Sequence, residues 1–244
     1  MQEQEYHRMH ELETTHWWFR AKAEYLRILL RHFVPKPTGK KAVDIGCGTG
    51  ATLALLEQHG FAATGIDMSN IAAEYVRQKG LSVTIGQADH TTLSDNSVDV
   101  VTILDVLEHL DNDTAAVREI HRILKPGGMC IAMVPAHQFL WSYHDVALHH
   151  KRRYNYAAFQ TLMNDAFVQI HMSWIHSVIF LPATAVRILL KKLRKKQQES
   201  SDVAPSSVVV NIVMNALYCV EQTWYRLVHW LPIGTSLVYV GKKK

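Results

Sequence analysis

The sequence predicts an α/β fold, a parallel sheet with helices on both faces. Three observations carry that expectation. Apolar runs near 41–45, 62–66, 81–85 and 97–104 are interleaved with helix-patterned stretches at 50–59 and 69–78, and strands alternating with helices build parallel sheets. Met129–Val134 is apolar throughout, as a strand buried on both faces should be. Between the first strand and its helix runs Val43-Asp44-Ile45-Gly46-Cys47-Gly48-Thr49-Gly50. Glycines so spaced clear side chains from a strand-to-helix turn and let a ligand lie on the backbone.

The other elements follow in order. Residues 3–33 lack Pro and Gly and carry Tyr25, Ile28, Leu29 and Phe33 at helical spacing, so they read as one helix, ended by Pro35-Lys36-Pro37-Thr38-Gly39. Asp111 and Asn112 open a helix over 112–124, its stripe is Val117, Ile120 and Leu124, and Pro126-Gly127-Gly128 closes it. A polar loop at 136–153 leads to a helix at 154–165 and a strand at 167–173, and the last strand is Ser236–Gly241. The expected organisation is an N-terminal helical lid (1–39), a ligand-binding core (40–173), a helical insertion (174–235), and a final strand with a basic tail (236–244). The insertion holds an apolar helix at 175–190, a basic and polar linker at 191–207, and a second apolar stretch at 208–231.

The ligand can be read from the charges around the glycines. A dinucleotide site has Gly-x-Gly-x-x-Gly and rests a pyrophosphate on the helix N-terminus. Here the third glycine comes one residue early, and Asp44 precedes the first by two. A carboxylate repels a pyrophosphate but attracts a sulfonium and an ammonium. S-adenosylmethionine carries both cations and no phosphate. Asp67, closing the second apolar run, stands where an acid holds ribose hydroxyls.

With these residues in place the chain resembles the class I methyltransferases, which have a Rossmann-like sheet. Ala88-Asp89 resembles the family's adenine-contacting position after the third strand. Val98–Leu110 resembles its fourth strand and following loop, and Leu124-Lys125-Pro126-Gly127-Gly128 the turn before the fifth. The resemblance covers roughly residues 40–135. It implies S-adenosylmethionine as cofactor, held by Asp44, Gly46, Cys47, Gly48, Gly50, Asp67, Met68, Ala88, Asp89 and Leu104. Within the family, the last two strands are usually joined by a short hairpin, whereas here roughly sixty residues intervene.

Acceptor chemistry is expected in Trp141–Tyr154, which follows the fifth strand at the carboxyl edge of the sheet, where open α/β folds bind ligands. The pattern Asp-x-x-x-x-His-x-Arg-Arg-Tyr of one subfamily maps onto Asp145, His150, Arg152, Arg153 and Tyr154. A histidine can take a hydroxyl proton near neutral pH and a carboxylate can orient it, so His150 is the candidate base and Asp145 its orienter. Arg152 and Arg153 suit an acceptor carboxylate or phosphate. Tyr143 and His109 complete the expected acceptor wall. The run His16-Trp17-Trp18-Phe19-Arg20 resembles the same subfamily's His-Trp-Trp-Phe signature, with Lys22 where that pattern has Arg, and adds Trp18 and Arg20 to the acceptor candidates. No second histidine at a helical ligand spacing accompanies Glu108-His109, so no metal is expected. Cys47 reads as a packing residue, since the loop supplies no base beside it.

Composition bounds the rest. A chain of 244 residues with 48% hydrophobic content buries a sizeable core. Its three scattered cysteines imply a reducing compartment rather than a disulfide framework, and the start lacks a signal-peptide pattern, so cytoplasmic residence is expected, at the inner face of a membrane if the insertion binds there. The net charge of +4 is local: Arg187, Lys191, Lys192, Arg194, Lys195 and Lys196 form one basic run and Lys242–Lys244 another, while the remainder is net acidic. That distribution argues against nucleic acid, whose proteins need a broad basic face, and suits a juxtamembrane patch. Neither apolar stretch of the insertion spans a bilayer. They pack as a cap or lie on a membrane through 174–196, with Trp174, Trp224 and Trp230 near the headgroups.

The function expected is S-adenosylmethionine-dependent O-methylation of an amphipathic acceptor: a lipid-linked sugar, a quinone precursor or an acyl-chain intermediate. The rivals are C- or N-methylation of a small aromatic or peptide acceptor, and a cofactor-binding scaffold that docks a membrane partner.

Overall fold

The computed structural model describes residues 3–192 and 205–244. Its seven strands are β1 (Lys41–Ile45), β2 (Ala62–Asp67), β3 (Val83–Ile85), β4 (Val98–Leu104), β5 (Leu124–Pro135), β6 (Phe167–Ile175) and β7 (Ser236–Lys243). They form one sheet in the order β3-β2-β1-β4-β5-β7-β6. β1 to β5 are parallel, and β7 runs antiparallel to both β5 and β6. The expected parallel sheet therefore becomes mixed at its last two strands.

The helices are α1 (Glu3–Leu12), α2 (Trp17–Phe33), α3 (Ala51–His59), α4 (Asn70–Gln78), α5 (Asp113–Ile123), the short α6 (Tyr143–Ala147), α7 (Tyr156–Asn164), α8 (Phe180–Lys192) and α9 (Val208–Val228). Two buried apolar clusters occupy the two faces of the sheet. One joins α2, α3 and α9 to the sheet through Tyr25, Leu29, Leu53, Leu56, Val100, Ile131, Tyr225 and Val238. The other joins α5 and α7 through Val101, Ile103, Ile120, Ile123, Phe159 and Tyr239.

Several boundaries depart from expectation. β5 already begins at Leu124, expected to close the helix over 112–124, and takes in Pro126-Gly127-Gly128, expected as a turn. Residues 3–33 are two helices, because Glu13 turns inward to Thr49 and Lys79 while His16 caps α2, its Nδ1 accepting from Trp18 N at 3.2 Å. β6 runs on to Ile175, which displaces the start of the insertion from 174 and of its first helix from 175 to 180. Trp174 consequently belongs to the sheet, half-buried and stacked on His137 with ring centroids 4.6 Å apart. Arg194, Lys195, Lys196 and the linker at 195–202 lie outside the described residues.

Candidate functional site

Two adjoining cavities open at the carboxyl ends of β1, β2, β4 and β5. They share Met9, Phe19, Lys22, Asp105 and His109 as a common wall.

The first, of 560 Å³, surrounds the glycine loop. Gly46 and Gly48 both have positive φ, and a Cβ on Gly46 would come within 2.3 Å of the Val106 side chain. Asp67 lies at the end of β2, accepting from Gly48 N and Ser69 N at 2.9 Å each. Burial raises its carboxyl despite those bonds. Cys47, Met68, Ala88, Asp89 and Leu104 complete the wall. α1 covers the cavity through Tyr6 and Met9, with Glu13, just past its end, adding to the cover. It is held there by His10 stacked on Tyr75 at 4.1 Å and by Glu13 paired with Lys79.

Two residues expected on this wall are elsewhere. Gly50 begins α3 at φ +93 with its α-carbon turned to Val76. Asp44 is buried beneath the loop and accepts from Thr102 Oγ1 at 2.6 Å. Burial pushes its carboxyl up to about 7, with Asp67 adding to the shift and the Thr102 hydrogen bond and Lys22 opposing it. The sign is that of an acid raised on folding: its stability contribution is complete below the unfolded value near 4 and is lost as pH rises through about 7. Asp44→Asn should therefore flatten the fall in thermal stability of the cofactor-free protein between about pH 4 and 7, a fall on the order of a few kcal/mol at most. Melting curves across that range check it; parallel curves for wild type and variant would remove Asp44 as the source. The Cys47 thiol is also raised by burial and is a packing group, not a nucleophile.

The second cavity, of 360 Å³, is mainly apolar, with Trp17, Trp18, Leu140, Leu148, Ile179 and Ala183 among its walls. Its polar end gathers Asp105, Glu108, His109, His144, His150 and Arg153. Asp145, fully buried, holds this end together. It accepts from Ser142 N at 2.8 Å, from Arg153 Nε at 2.7 Å, and from His150 Nδ1 at 2.9 Å. Burial alone would raise Asp145, but His150 and Arg153 hold it well below the usual carboxylate range. Asp145 is thus an acceptor only, which puts the proton of neutral His150 on Nδ1 and leaves Nε2 free to accept. Nε2 lies 3.9 Å from Glu108 Oε1.

Glu108 is fully buried, and neither carboxylate oxygen has a hydrogen-bond partner. Burial, then the charge of Asp105, pushes it well above its ordinary range. Burial also lowers His109, to about 4, so its ring is neutral near pH 7. Glu108, His109 and His150 bring one potential ligand atom each within 4.8 Å of one another. Sequence spacing missed this group, because His150 comes from a different loop than the adjacent pair.

Lys22 was the other omission. Its ammonium bonds Asp105 Oδ2 at 2.7 Å on the wall common to both cavities, where the subfamily pattern has Arg. Burial would raise Asp105, and Lys22 reverses that and holds it low.

Three acceptor candidates are not brought to the cavity. Arg20 is exposed, outside the cavity lining. Tyr143 lies on the outer face of α6. Arg152 binds Asp113 Oδ2 at 2.8 Å and the carbonyls of Leu110 and Asp111, so it ties the loop to α5. Arg153 does line the cavity, but its guanidinium is committed to Asp145 and the Ala136 carbonyl. Trp18 and His109 line the second cavity.

Residues 43–132 match the family model described as methyltransferase domain. That match runs from β1 into β5, and the seven-stranded sheet has the Rossmann-like arrangement of class I methyltransferases. A ubiquinone biosynthesis O-methyltransferase of Methylococcus capsulatus is 39% identical over 97 residues, 37% of this chain and 41% of that protein. The chain thus spans about two fifths of the length of this curated relative. Among solved structures, a chain of the Haloferax volcanii complex between the Trm112 methyltransferase activator and a methyltransferase superposes with a TM-score of 0.63 at 21% identity, covering 98% of this chain and 93% of that one. A SAM-dependent methyltransferase from Archaeoglobus fulgidus gives 0.59 at 19% identity, covering 91% and 94%. These structural likenesses speak for the fold.

The first cavity suits S-adenosylmethionine. The glycine backbone gives room at the loop, and Asp67 keeps lone pairs for ribose hydroxyls after its two backbone bonds. Asp67→Ala should weaken cofactor binding by about 1.5–3 kcal/mol, the range for hydrogen bonds to a charged group. Calorimetry measures it; equal affinity in the folded variant would take Asp67 out of the site.

Proposed function

We propose that this protein transfers the methyl group of S-adenosylmethionine to a hydroxyl of an amphipathic acceptor. The observation that carries the reading is His150, which lines the polar end of the second cavity with Nε2 3.9 Å from Glu108 Oε1 while Nδ1 is fixed by buried Asp145.

When bound, S-adenosylmethionine supplies an electrophilic methyl on a cationic sulfur. His150 Nε2 is placed to take the acceptor's hydroxyl proton, while the methyl that S-adenosylmethionine would supply passes to that oxygen and leaves its sulfur as a neutral thioether. Asp145 orients the ring and stabilises the imidazolium that results. Glu108, raised and unpartnered, offers a hydrogen bond to a second acceptor oxygen. Lys22 and Asp105 set the wall between the two ligands, and Trp17, Trp18, Leu140 and Ile179 exclude water from the acceptor. Holding the acceptor and the methyl donor in adjoining cavities converts an encounter into a positioned reaction.

The apolar wall favours an acceptor with a hydrocarbon part: a quinone precursor, a lipid-linked sugar or an acyl-chain intermediate. The similarity to a ubiquinone biosynthesis O-methyltransferase supports the quinone precursor. On this reading α1 and the Trp17–Phe19 turn are a lid over both ligands. The helical insertion caps the acceptor, and the protein works in the cytoplasm at the inner face of a membrane.

Incubation with methyl-labelled cofactor and a cell lipid extract, followed by mass spectrometry, tests the proposal. A labelled methyl ether in the lipid fraction is expected. Label on carbon or nitrogen of a small aromatic or peptide would replace the O-methyl reading. Cofactor binding without any labelled product would favour a scaffold.

A further inference from the structure

The helix α9 is amphipathic in the reverse sense to a helix on a water-facing surface. Val209, Val213, Ala216, Val220, Trp224 and Leu227 recur every three or four residues, so they form a single stripe. That stripe faces outward: Val220 is 72% exposed, Trp224 55% and Leu227 78%. The side packed on α2 is polar or aromatic instead. Asn211 accepts from Trp17 N at 3.1 Å, and Gln222 donates to the Ala21 carbonyl at 3.2 Å. Glu221 is buried, accepting from the Tyr25 hydroxyl and from Ser177 N and Val178 N. Helices of soluble proteins place their apolar stripe inward and their polar residues in water. α9 satisfies its polar residues inside and leaves its apolar ones to the surroundings, far beyond scattered surface apolars.

The α8 helix adds a second apolar surface. Leu181, Val186, Ile188 and Leu189 are exposed, while Ile179 and Ala183, on the cavity side, line the acceptor cavity. Of the six basic residues between 187 and 196 in the sequence, Arg187, Lys191 and Lys192 belong to α8 itself, and Arg194, Lys195 and Lys196 follow it in the sequence, outside the described residues. Among the described residues no helix is long and apolar enough to cross a membrane. An apolar stripe with an exposed tryptophan, joined to a basic run, is the chemistry of a helix lying in the interface of an anionic bilayer.

We infer that the outward faces of α9 and α8 dock this protein on an anionic lipid bilayer, with the acceptor cavity behind α8. The acceptor's hydrocarbon part then reaches the cavity without crossing water. Docking rests on the exposed faces alone; only the delivery of an acceptor rests on the methyltransferase reading.

Vesicle flotation of the full-length protein separates the two, because it needs no turnover. Wild type should float with phosphatidylglycerol-containing vesicles at low salt, at least tenfold more than with phosphatidylcholine vesicles, and less as salt rises. The triple variant Val213→Ser, Val220→Ser and Leu227→Ser should lose flotation at least tenfold and keep wild-type affinity for S-adenosylmethionine, which also shows that it is folded. Trp224 emission should shift to the blue on anionic vesicles, and Trp224→Phe should remove most of that shift. Wild type that stays in the soluble fraction at low salt overturns the inference. So does a wild-type dimer, dissociated by the triple variant, that never floats; the stripe would then cover a second copy of this chain.

Discussion

His150→Ala should lower turnover by roughly 10²–10⁴ and leave cofactor affinity unchanged. The imidazole lines the acceptor cavity and not the cofactor cavity, so its loss removes the proton acceptor without touching the glycine loop. For a hydroxyl acceptor that ionises, high pH should restore part of the rate, since solvent then does what the base did. Asp145→Asn should be as damaging, by up to about 10⁴ in turnover, because the amide no longer fixes the proton on Nδ1. It also leaves the buried guanidinium of Arg153 without its anion. Breaking a buried pair in this way costs about 3–5 kcal/mol, so the variant should melt earlier as well. Steady-state kinetics with separate calorimetry of cofactor binding distinguishes these roles. A wild-type rate in His150→Ala would sink the assignment of the base. A loss of cofactor affinity equal to the loss of rate would make His150 structural.

Gly46→Ala should reduce both stability and cofactor affinity. The residue sits at φ +70, which costs a side chain about 1–2 kcal/mol. The added methyl would also meet Val106 Cγ2 at 2.3 Å, a contact that something must relieve at roughly 1–3 kcal/mol. Relief can come from Val106 turning or from the loop moving off Ile66, whose carbonyl accepts from Gly46 N at 2.7 Å. Gly46→Ala combined with Val106→Ala separates the two. Recovery of most of the lost affinity would assign the effect to the clash, and no recovery would assign it to backbone strain. An affinity equal to wild type in the single variant would show that the loop does not contact the cofactor.

The two cavities differ in how far the sequence reveals them. The glycine-loop cavity is the more legible, because its lining residues come from consecutive strand–helix units, so Gly46, Gly48, Asp67 and Ala88-Asp89 keep the spacing that the sheet imposes on them. The acceptor side is assembled from α1, α2, the turn after β4, the loop after β5 and α8, and spacing along the chain says little about such a meeting. Lys22 and Asp105, or Glu108 and His150, are neighbours only in three dimensions. Arg152 and Arg153 are adjacent and chemically equal, but the backbone sends one to Asp113 and the other to Asp145. Asp44 was read as a wall of the cofactor cavity from its charge, whereas Thr102 on the neighbouring strand holds it beneath that wall. The first helix appeared continuous because the break at Glu13–His16 needs neither Pro nor Gly. Its cause is the inward pull of Glu13 toward Thr49 and Lys79 together with the cap from His16, contacts between distant segments and a local one respectively. The inverted polarity of α9 escaped for the same reason, since Glu221 and Gln222 look like surface residues until α2 packs on them.

The most direct measurement is methyl transfer itself, with purified protein, methyl-labelled S-adenosylmethionine and a lipid extract, run for wild type and His150→Ala in parallel. The predicted result is a lipid-soluble methyl ether that carries the label with wild type and falls by at least a hundredfold with the variant, at equal cofactor occupancy. Cofactor bound in full with no labelled lipid in either sample would contradict an O-methyltransferase built around His150.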